Sequence, residues 1–573
     1  MNSNKQTKVA AAIDFGTSCS GYAYAFRDDG RIIGRYQWDK QPFSYIKTLT
    51  QSLYNGDGTL EAWGYGALSR FATLRQSKES QSYSFFPTFK MALRESHKRT
   101  IDGPIAVAHN GREFPVVDLV ADYLREIANL LRQELQNATS NQLKDQEIFW
   151  CLSVPAIWKE DEKSLMRIAA IQAGLISEDP GDQDRLLLVL EPEAAALYCQ
   201  EKMQLQLSVG KRFMVVDCGG GTVDITVHQV SVNGALEEVV TGTGGAYGST
   251  YVDRQFIEYL GNKLDSKALE QYQSQDPIGW LELMSNWERK KCAFEPDKTP
   301  ITYLEIPNRL YKILSRDFPV VLAQLSKDQN QDDETIHLSR ETMESLFNPV
   351  LDGLVNKVKE QFALLEGTGC DFIYLVGGFS TSPVLRQRML DEFANKAQII
   401  MPPLPGSAIV EGAVSFGLNP EMIRSRRSRL TYGCNVSRPF EENLDSARIS
   451  SAFELDDRRY MFNRFCRFVR SGESIDIDQV IRHTFVPTSS DQDSLNFFFF
   501  ATKKENPRYV DEPDIEELGE LEVDIASTVG QKDRRIEVSM SFGKTEIVVV
   551  AKDLQTNQLY KTKFRFSATY AIF

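Results

Sequence analysis

The chain has 573 residues, 42% of them hydrophobic, and a formal net charge of −14. That length and apolar content describe a globular protein with room for two or more cores, and the acidic balance argues against a nucleic-acid surface. The opening MNSNKQTKVAAAIDFG lacks a signal-type apolar core and no run of about 18 apolar residues follows, so a cytoplasmic or nuclear protein with no membrane partner is expected.

In chain order, the first informative stretch is AAAIDFGTSCSGYAYAF, where an apolar run leads to Asp14, Gly16, Thr17 and Ser18. Tyr22, Tyr24 and Phe26 then alternate with Gly21, Ala23 and Ala25, which predicts a strand covered on both faces. The second stretch, VVDCGGGTVDITV, has the same order of strand, aspartate, glycine turn and strand, with Gly219, Gly220 and Gly221 after Asp217. Three glycines would weaken a strand interior, so they are read as a hairpin tip whose backbone amides can face phosphate. Either turn alone is equally an ordinary tight turn with an aspartate as turn former. The matched pair suggests two hairpins closing on a polyphosphate, with Asp14 and Asp217 placed to hold Mg²⁺ through its waters.

A third stretch, IYLVGGFSTSPVL, reads as a short buried strand broken by Gly377 and Gly378, with Ser380 leading through Pro383 into a helix. Such a βα turn can seat a nucleoside, and is also common without one. The arginine run RSRRSRL at 424–430 reads as a solvated linker. Beyond it the pattern changes to strands: Ile536, Val538, Met540 and Phe542 alternate with polar residues, GKT turns, and Ile547, Val549 and Ala551 resume. SLNFFFFATK is continuously apolar and is read as a strand covered on both faces. Eight cysteines without a C-x-x-C pair suggest reduced thiols, and the five histidines show no ligand spacing.

Together these motifs resemble the actin-fold ATPases and, within them, the 70-kDa heat-shock (DnaK-type) chaperones. IDFGTSCSG is similar to the family's first phosphate loop, DCGGGTVDITV to its second and LVGGFSTSP to its adenosine motif. LSVPAIWKEDEKSLMRIAAIQAGL, LEPEAAAL and AIVEGAVSFGL resemble its connecting segments, so the likeness spans residues 9 to about 420. AWGYG, TYGC and the departures given below resemble the divergent type-12 branch. The resemblance implies an α/β, ribonuclease-H-type duplicated ATPase domain of two lobes around a nucleotide cleft at 1–423. A linker at 424–433 and a lidless all-β domain at 434–573, similar to the family's peptide-binding sandwich, would follow.

It also implies ATP/ADP and Mg²⁺ as cofactors, slow ATP hydrolysis, and a chaperone-type stress-response role with unfolded polypeptides or regulatory proteins as partners. By the same resemblance Glu191 orients the attacking water, Thr222 lies beside the γ-phosphate, and Asp14 and Asp217 complete the catalytic set. Glu288 and Lys291 in WERKKCAF lie near the ribose and base, although a solvated helix face explains them equally. Lys90 in FPTFKMAL stands for the phosphate-facing lysine, with a poor flanking match.

Two departures weaken the nucleoside side: Cys292 stands where the family has an adenine-stacking arginine, and Gly406 near where it has an aspartate. Losing the cation–π contact is worth about 0.5–2 kcal/mol, which weakens binding without abolishing it. The polar linker and the end of the chain at Phe573 lead to the expectation that the usual leucine linker and helical lid are missing, so that bound peptide exchanges fast. A non-hydrolysing nucleotide-regulated scaffold and a small-molecule kinase of the same fold remain alternatives. Oligomeric state is not legible.

Overall fold

The run VAAAID has no polar face, and in the computed structural model it forms the fully buried strand Val9–Asp14. The structure describes residues 7–563 except 77–78, 97, 101–102, 141, 180, 204–206, 456, 532–533 and 543–544. Two units divide the chain. The first comprises Met1–Ile157, Ile168–Thr226 and Thr243–Asn419; the second comprises Trp158–Arg167, Val227–Gly242 and Pro420–Phe573.

The first unit is mixed α/β. One of its sheets runs in the order Leu186–Leu190, Ile148–Val154, Val9–Asp14, Cys19–Phe26 and Ile33–Gly34, with Lys47–Leu49 also paired to Cys19–Phe26. Its first three strands are parallel and the fourth returns antiparallel as a hairpin. A second sheet repeats this plan: Gln398–Ile400, Phe372–Val376 and Arg212–Cys218 are parallel, and the last is followed in the order by the strand that begins at Val223. Parallel strands covered on both faces must be apolar throughout, which is why FIYLV and VAAAID show no alternation. Tyr22, Ala23, Tyr24 and Ala25 are all buried, as the two-sided apolar pattern predicts.

Each sheet is followed by a helix of small residues. Glu191–Lys202 begins directly after Leu186–Leu190 with Pro192 in its first turn, where the missing amide costs no hydrogen bond. Ala408–Leu418 follows Gln398–Ile400. The two helices meet so closely that a methyl group on Gly412 would lie 1.8 Å from the Ala194 carbonyl oxygen. Only a glycine at position 412 permits that approach of the Ala194 backbone.

In the second unit strands predominate. One sheet runs Ala452–Leu455, Arg458–Val469, Thr431–Pro439, Ser494–Thr502, Ile515–Asp524; another runs Val480–Phe485, Ile536–Ser541, Val548–Asp553, Leu559–Lys563. Both contribute to one apolar cluster that includes Cys434, Phe499, Val523, Val538, Met540 and Val549. The alternation at 536–542 and 547–551 therefore forms the expected antiparallel hairpin; Gly543 and Lys544 of its turn lie outside the described residues. In SLNFFFFATK, Phe497, Phe499 and Phe500 are buried and Phe498 half-buried.

The segment 424–433, read from the sequence as a solvated linker, is not one. Ile423–Arg427 is a strand paired with Ser474–Asp476, and Thr431 opens the next strand. Ser425 and Arg426 are buried, Arg424 pairs with Glu237, and the Arg427 amide donates to Glu238. Strand pairing and acidic neighbours from distant sequence absorb a charge run that by itself suggests solvent. All eight cysteines are free, and Cys434 lies directly opposite Cys466 in neighbouring strands. No helix of the described residues is long and apolar enough to cross a membrane.

Candidate functional site

The carboxyl ends of the parallel strands in the first unit gather its acidic residues, the position where open α/β sheets hold ligands. Asp14 ends its strand, and Ser153 lies on the neighbouring Ile148–Val154. Glu191 opens the helix after Leu186–Leu190. Asp217 lies beside Val376 in register, and Asp224 on the returning strand. All four carboxylates are buried.

Three of them have strong partners. Lys47 Nζ lies 2.6 Å from Asp14 Oδ2, and Ser153 Oγ donates to Asp14 Oδ1 at 2.8 Å. Lys90 Nζ donates to Glu191 Oε1 at 2.8 Å. The Ile157 amide donates to Asp224 Oδ1 at 3.0 Å. Asp217 Oδ1, in contrast, is buried with no hydrogen-bond partner among the described residues. Burial pushes the Glu191 carboxyl up to about 7; Lys90 opposes this, while Asp14 and Asp224 add to it. Burial also raises Asp217 well above the usual carboxylate range, reinforced by Glu191 and Asp224 and opposed by Lys47. For Lys47 burial works against the cation, but Asp14, Tyr45 and Asp217 outweigh it and its pKa is raised.

The two glycine turns face each other. A methyl group on Gly220 would come within 2.3 Å of Ser18 Oγ, and one on Gly221 within 2.7 Å of Thr17 Oγ1 and 2.8 Å of Met91 Sδ. Thr50 anchors the first turn, its hydroxyl donating to the Gly16 carbonyl and its amide to that of Ser18. The second turn rests on the start of the helix Ser249–Leu264: the amides of Gly248, Ser249 and Thr250 donate to the carbonyls of Gly221, Gly219 and Gly220. Those carbonyls are therefore directed to the helix. The Gly219 amide donates to the Thr222 carbonyl and closes the turn, so the amides open to a ligand are not those of all three glycines.

The remaining sequence candidates divide. Gly377 has φ +82°, a conformation that favours glycine, and a methyl group on it would come within 2.5 Å of Asp217 Oδ1. Ser380 Oγ donates to the Gly377 carbonyl and locks the short 3₁₀ turn Gly378–Thr381. Gly377, Gly378 and Ser380 thus adjoin Asp217. Lys291 is buried and pairs with Asp253 at 2.7 Å as well as with Glu288, while its Nζ also reaches the Ser249 carbonyl. It supports the helix beneath the second turn. Glu288 is half exposed and accepts from the Cys292 thiol. A methyl on Gly406 would meet the Tyr45 hydroxyl.

Sequence reasoning missed Lys47, Asp224 and Ser153. The available signal for Lys47 was a lysine inside the β-branched run IKTLT, where a charge without a partner is costly. Lys90 is held by Glu191 here, which fixes the carboxylate expected to orient water. For magnesium, the buried and unpartnered Asp217 Oδ1 fits a hydrated cation. Asp14 differs from expectation because both its oxygens are already engaged by Lys47 and Ser153.

Comparison with known proteins places this geometry. Residues 103–414, more than half of the chain, match the family model described as Hsp70 protein. Heat shock 70 kDa protein 12A of Mus musculus is 29% identical over 97% of this chain and 91% of its own length. Heat shock 70 kDa protein 12B of Homo sapiens is 28% identical over the same shares. A chaperone protein HscA homolog of Acinetobacter baumannii (strain AYE) is 23% identical over 68% of the chain and 55% of that protein. With a family match across more than half of its residues and similarity to type-12 relatives along nearly all of them, the chain belongs to the Hsp70 family, on its heat shock 70 kDa protein 12 branch.

Proposed function

We propose that the first unit binds ATP between its two glycine turns, as the cleft of a two-lobed actin-like domain, and hydrolyses it slowly. The observation that carries this is the approach of Thr17 and Ser18 to Gly220 and Gly221 above a buried set of four carboxylates and two lysines. Family membership supports nucleotide binding; the arrangement supports a hydrolytic role for particular residues. Backbone amides and the Thr17 and Thr222 side chains would position the phosphates. Glu191, held by Lys90, would orient a water in line with the terminal phosphate. Magnesium, bound with the nucleotide at Asp217, would offset phosphate charge.

For the second unit, two sheets around a single apolar cluster support a role in binding polypeptides or a regulatory partner; a chaperone-type, stress-linked setting comes from the family alone. Single-turnover hydrolysis with purified protein tests the enzymatic part. Glu191→Gln should slow turnover by about a hundredfold while leaving ATP affinity within a few-fold, because the contact acts chiefly in the transition state. A second reading, a nucleotide-regulated scaffold that does not hydrolyse, is favoured by the Lys90–Glu191 ion pair, which occupies the carboxylate that catalysis needs. A single-turnover rate in the unaltered protein no faster than in Glu191→Gln and in buffer alone would select it.

A further inference from the structure

Three neighbouring positions across the first sheet form a line. Asp14 lies opposite Gly21, and Gly21 lies opposite Lys47. Strands are spaced about 4.8 Å apart, so Asp14 and Lys47 are separated by about 9.6 Å of sheet. A lysine side chain is long enough to cross one intervening strand, provided that strand carries no side chain there. Gly21 meets that condition: a methyl group on it would lie 3.0 Å from Lys47 Cγ. The stem of Lys47 therefore passes over Gly21, and its ammonium reaches Asp14 Oδ2 at 2.6 Å.

The consequence is electrostatic. Among the described residues, Asp14, Glu191, Asp217 and Asp224 are buried with Lys47 and Lys90 as the ammonium groups paired to them, and Lys90 holds Glu191. A polyphosphate entering beside them would meet four carboxylates against the single ammonium of Lys90 unless a further cation is present. Lys47 supplies one from the chain itself, fixed in place before any ligand arrives. It also occupies the Asp14 oxygen that Ser153 leaves open, so the two Asp-x-Gly turns do not present equal carboxylates to a divalent ion.

We infer that the Lys47 ammonium, seated on Asp14 across Gly21, is a built-in cation of the polyphosphate site that lowers the requirement of ATP binding for a divalent ion. This rests on the reading that the first unit binds ATP. It predicts that the chain keeps most of its ATP affinity when Mg²⁺ is removed, and that this independence belongs to Lys47.

Isothermal titration of the full chain with ATP, in Mg²⁺ and in EDTA, reads both parts. For the unaltered protein the two dissociation constants should differ by less than about tenfold. For Lys47→Met the affinity in EDTA should fall by about tenfold or more while that in Mg²⁺ changes little, so that the ratio of the two rises. A ratio above about tenfold in the unaltered protein overturns the inference without any variant needing to fold. Equal weakening in both buffers, or an unchanged ratio in Lys47→Met, overturns it as well. Absence of ATP binding in either buffer removes the nucleotide reading itself, an outcome distinct from binding with a strong Mg²⁺ requirement.

Discussion

The turn after Asp14 and the turn after Asp217 share a sequence signature and a topology, and their aspartates face different electrostatic situations. Asp14 is clasped by a lysine and a serine, whereas Asp217 has an oxygen that accepts nothing among the described residues. The partners come from strands outside the two hairpins: Lys47 from a short edge strand of the first sheet and Ser153 from its parallel neighbour. At the matching place beside Asp217 the second sheet offers Val376 and then Gly377. A duplicated motif thus repeats the backbone but not the charge.

Neutralising the two aspartates separately gives the sharpest test of that asymmetry. Asp14→Asn leaves Lys47 buried without its counter-charge, and such half-broken pairs typically cost about 3–5 kcal/mol. The urea midpoint of the nucleotide-free protein should drop accordingly. Asp217→Asn removes a buried carboxylate that lacks a full set of partners, so the midpoint should hold or rise. Equal losses would show that the two turns are equivalent after all.

A smaller effect separates the glycines that follow. Gly377→Ala places a methyl against Asp217 Oδ1 at a positive φ, which is expected to cost about 1–3 kcal/mol. Ala at Gly378, where no atom stands within 4 Å, should change the midpoint much less. Thermal unfolding of the two variants compares them directly.

The smallest expected effect is on pH. Glu191 has a folded pKa raised by burial to about 7, above its ordinary 4.5. Between those values the folded chain holds a proton that the unfolded chain has released, so stability falls as pH rises through that window. The contribution is fully present below about pH 4.5 and gone above about 7. Urea titrations from pH 4.5 to 8 should show this slope in the nucleotide-free protein, and Glu191→Gln should flatten it. An unchanged slope would move the titration to another raised carboxyl, Asp217 or Glu162.

Much of this site was legible in advance because its signals are local. An aspartate followed by glycine and small polar residues between two β-prone runs specifies a hairpin through backbone preferences alone, and Pro192 and Pro383 mark helix starts by the same logic. Glu191 stood out through the resemblance of LEPEAAAL to the family's connecting segment, since an acid at a helix start is by itself ordinary. Lys47 and Asp224 stayed hidden because nothing within a few residues says which strand will lie beside them. The arginine run at 424–430 misled for the same reason: its charge is visible locally, but Ser474–Asp476, Glu237 and Glu238 are not.

The amino-acid order by itself determined where strands turn, which runs lie between two covered faces, and which residues end the parallel strands, since these follow from side-chain period and backbone conformation over a few residues. Only the tertiary structure decided that Lys47 reaches Asp14 across Gly21, that Lys90 takes Glu191, and that Cys434 faces Cys466. Those outcomes depend on strand register between distant segments, where a shift of one residue turns every side chain to the opposite face.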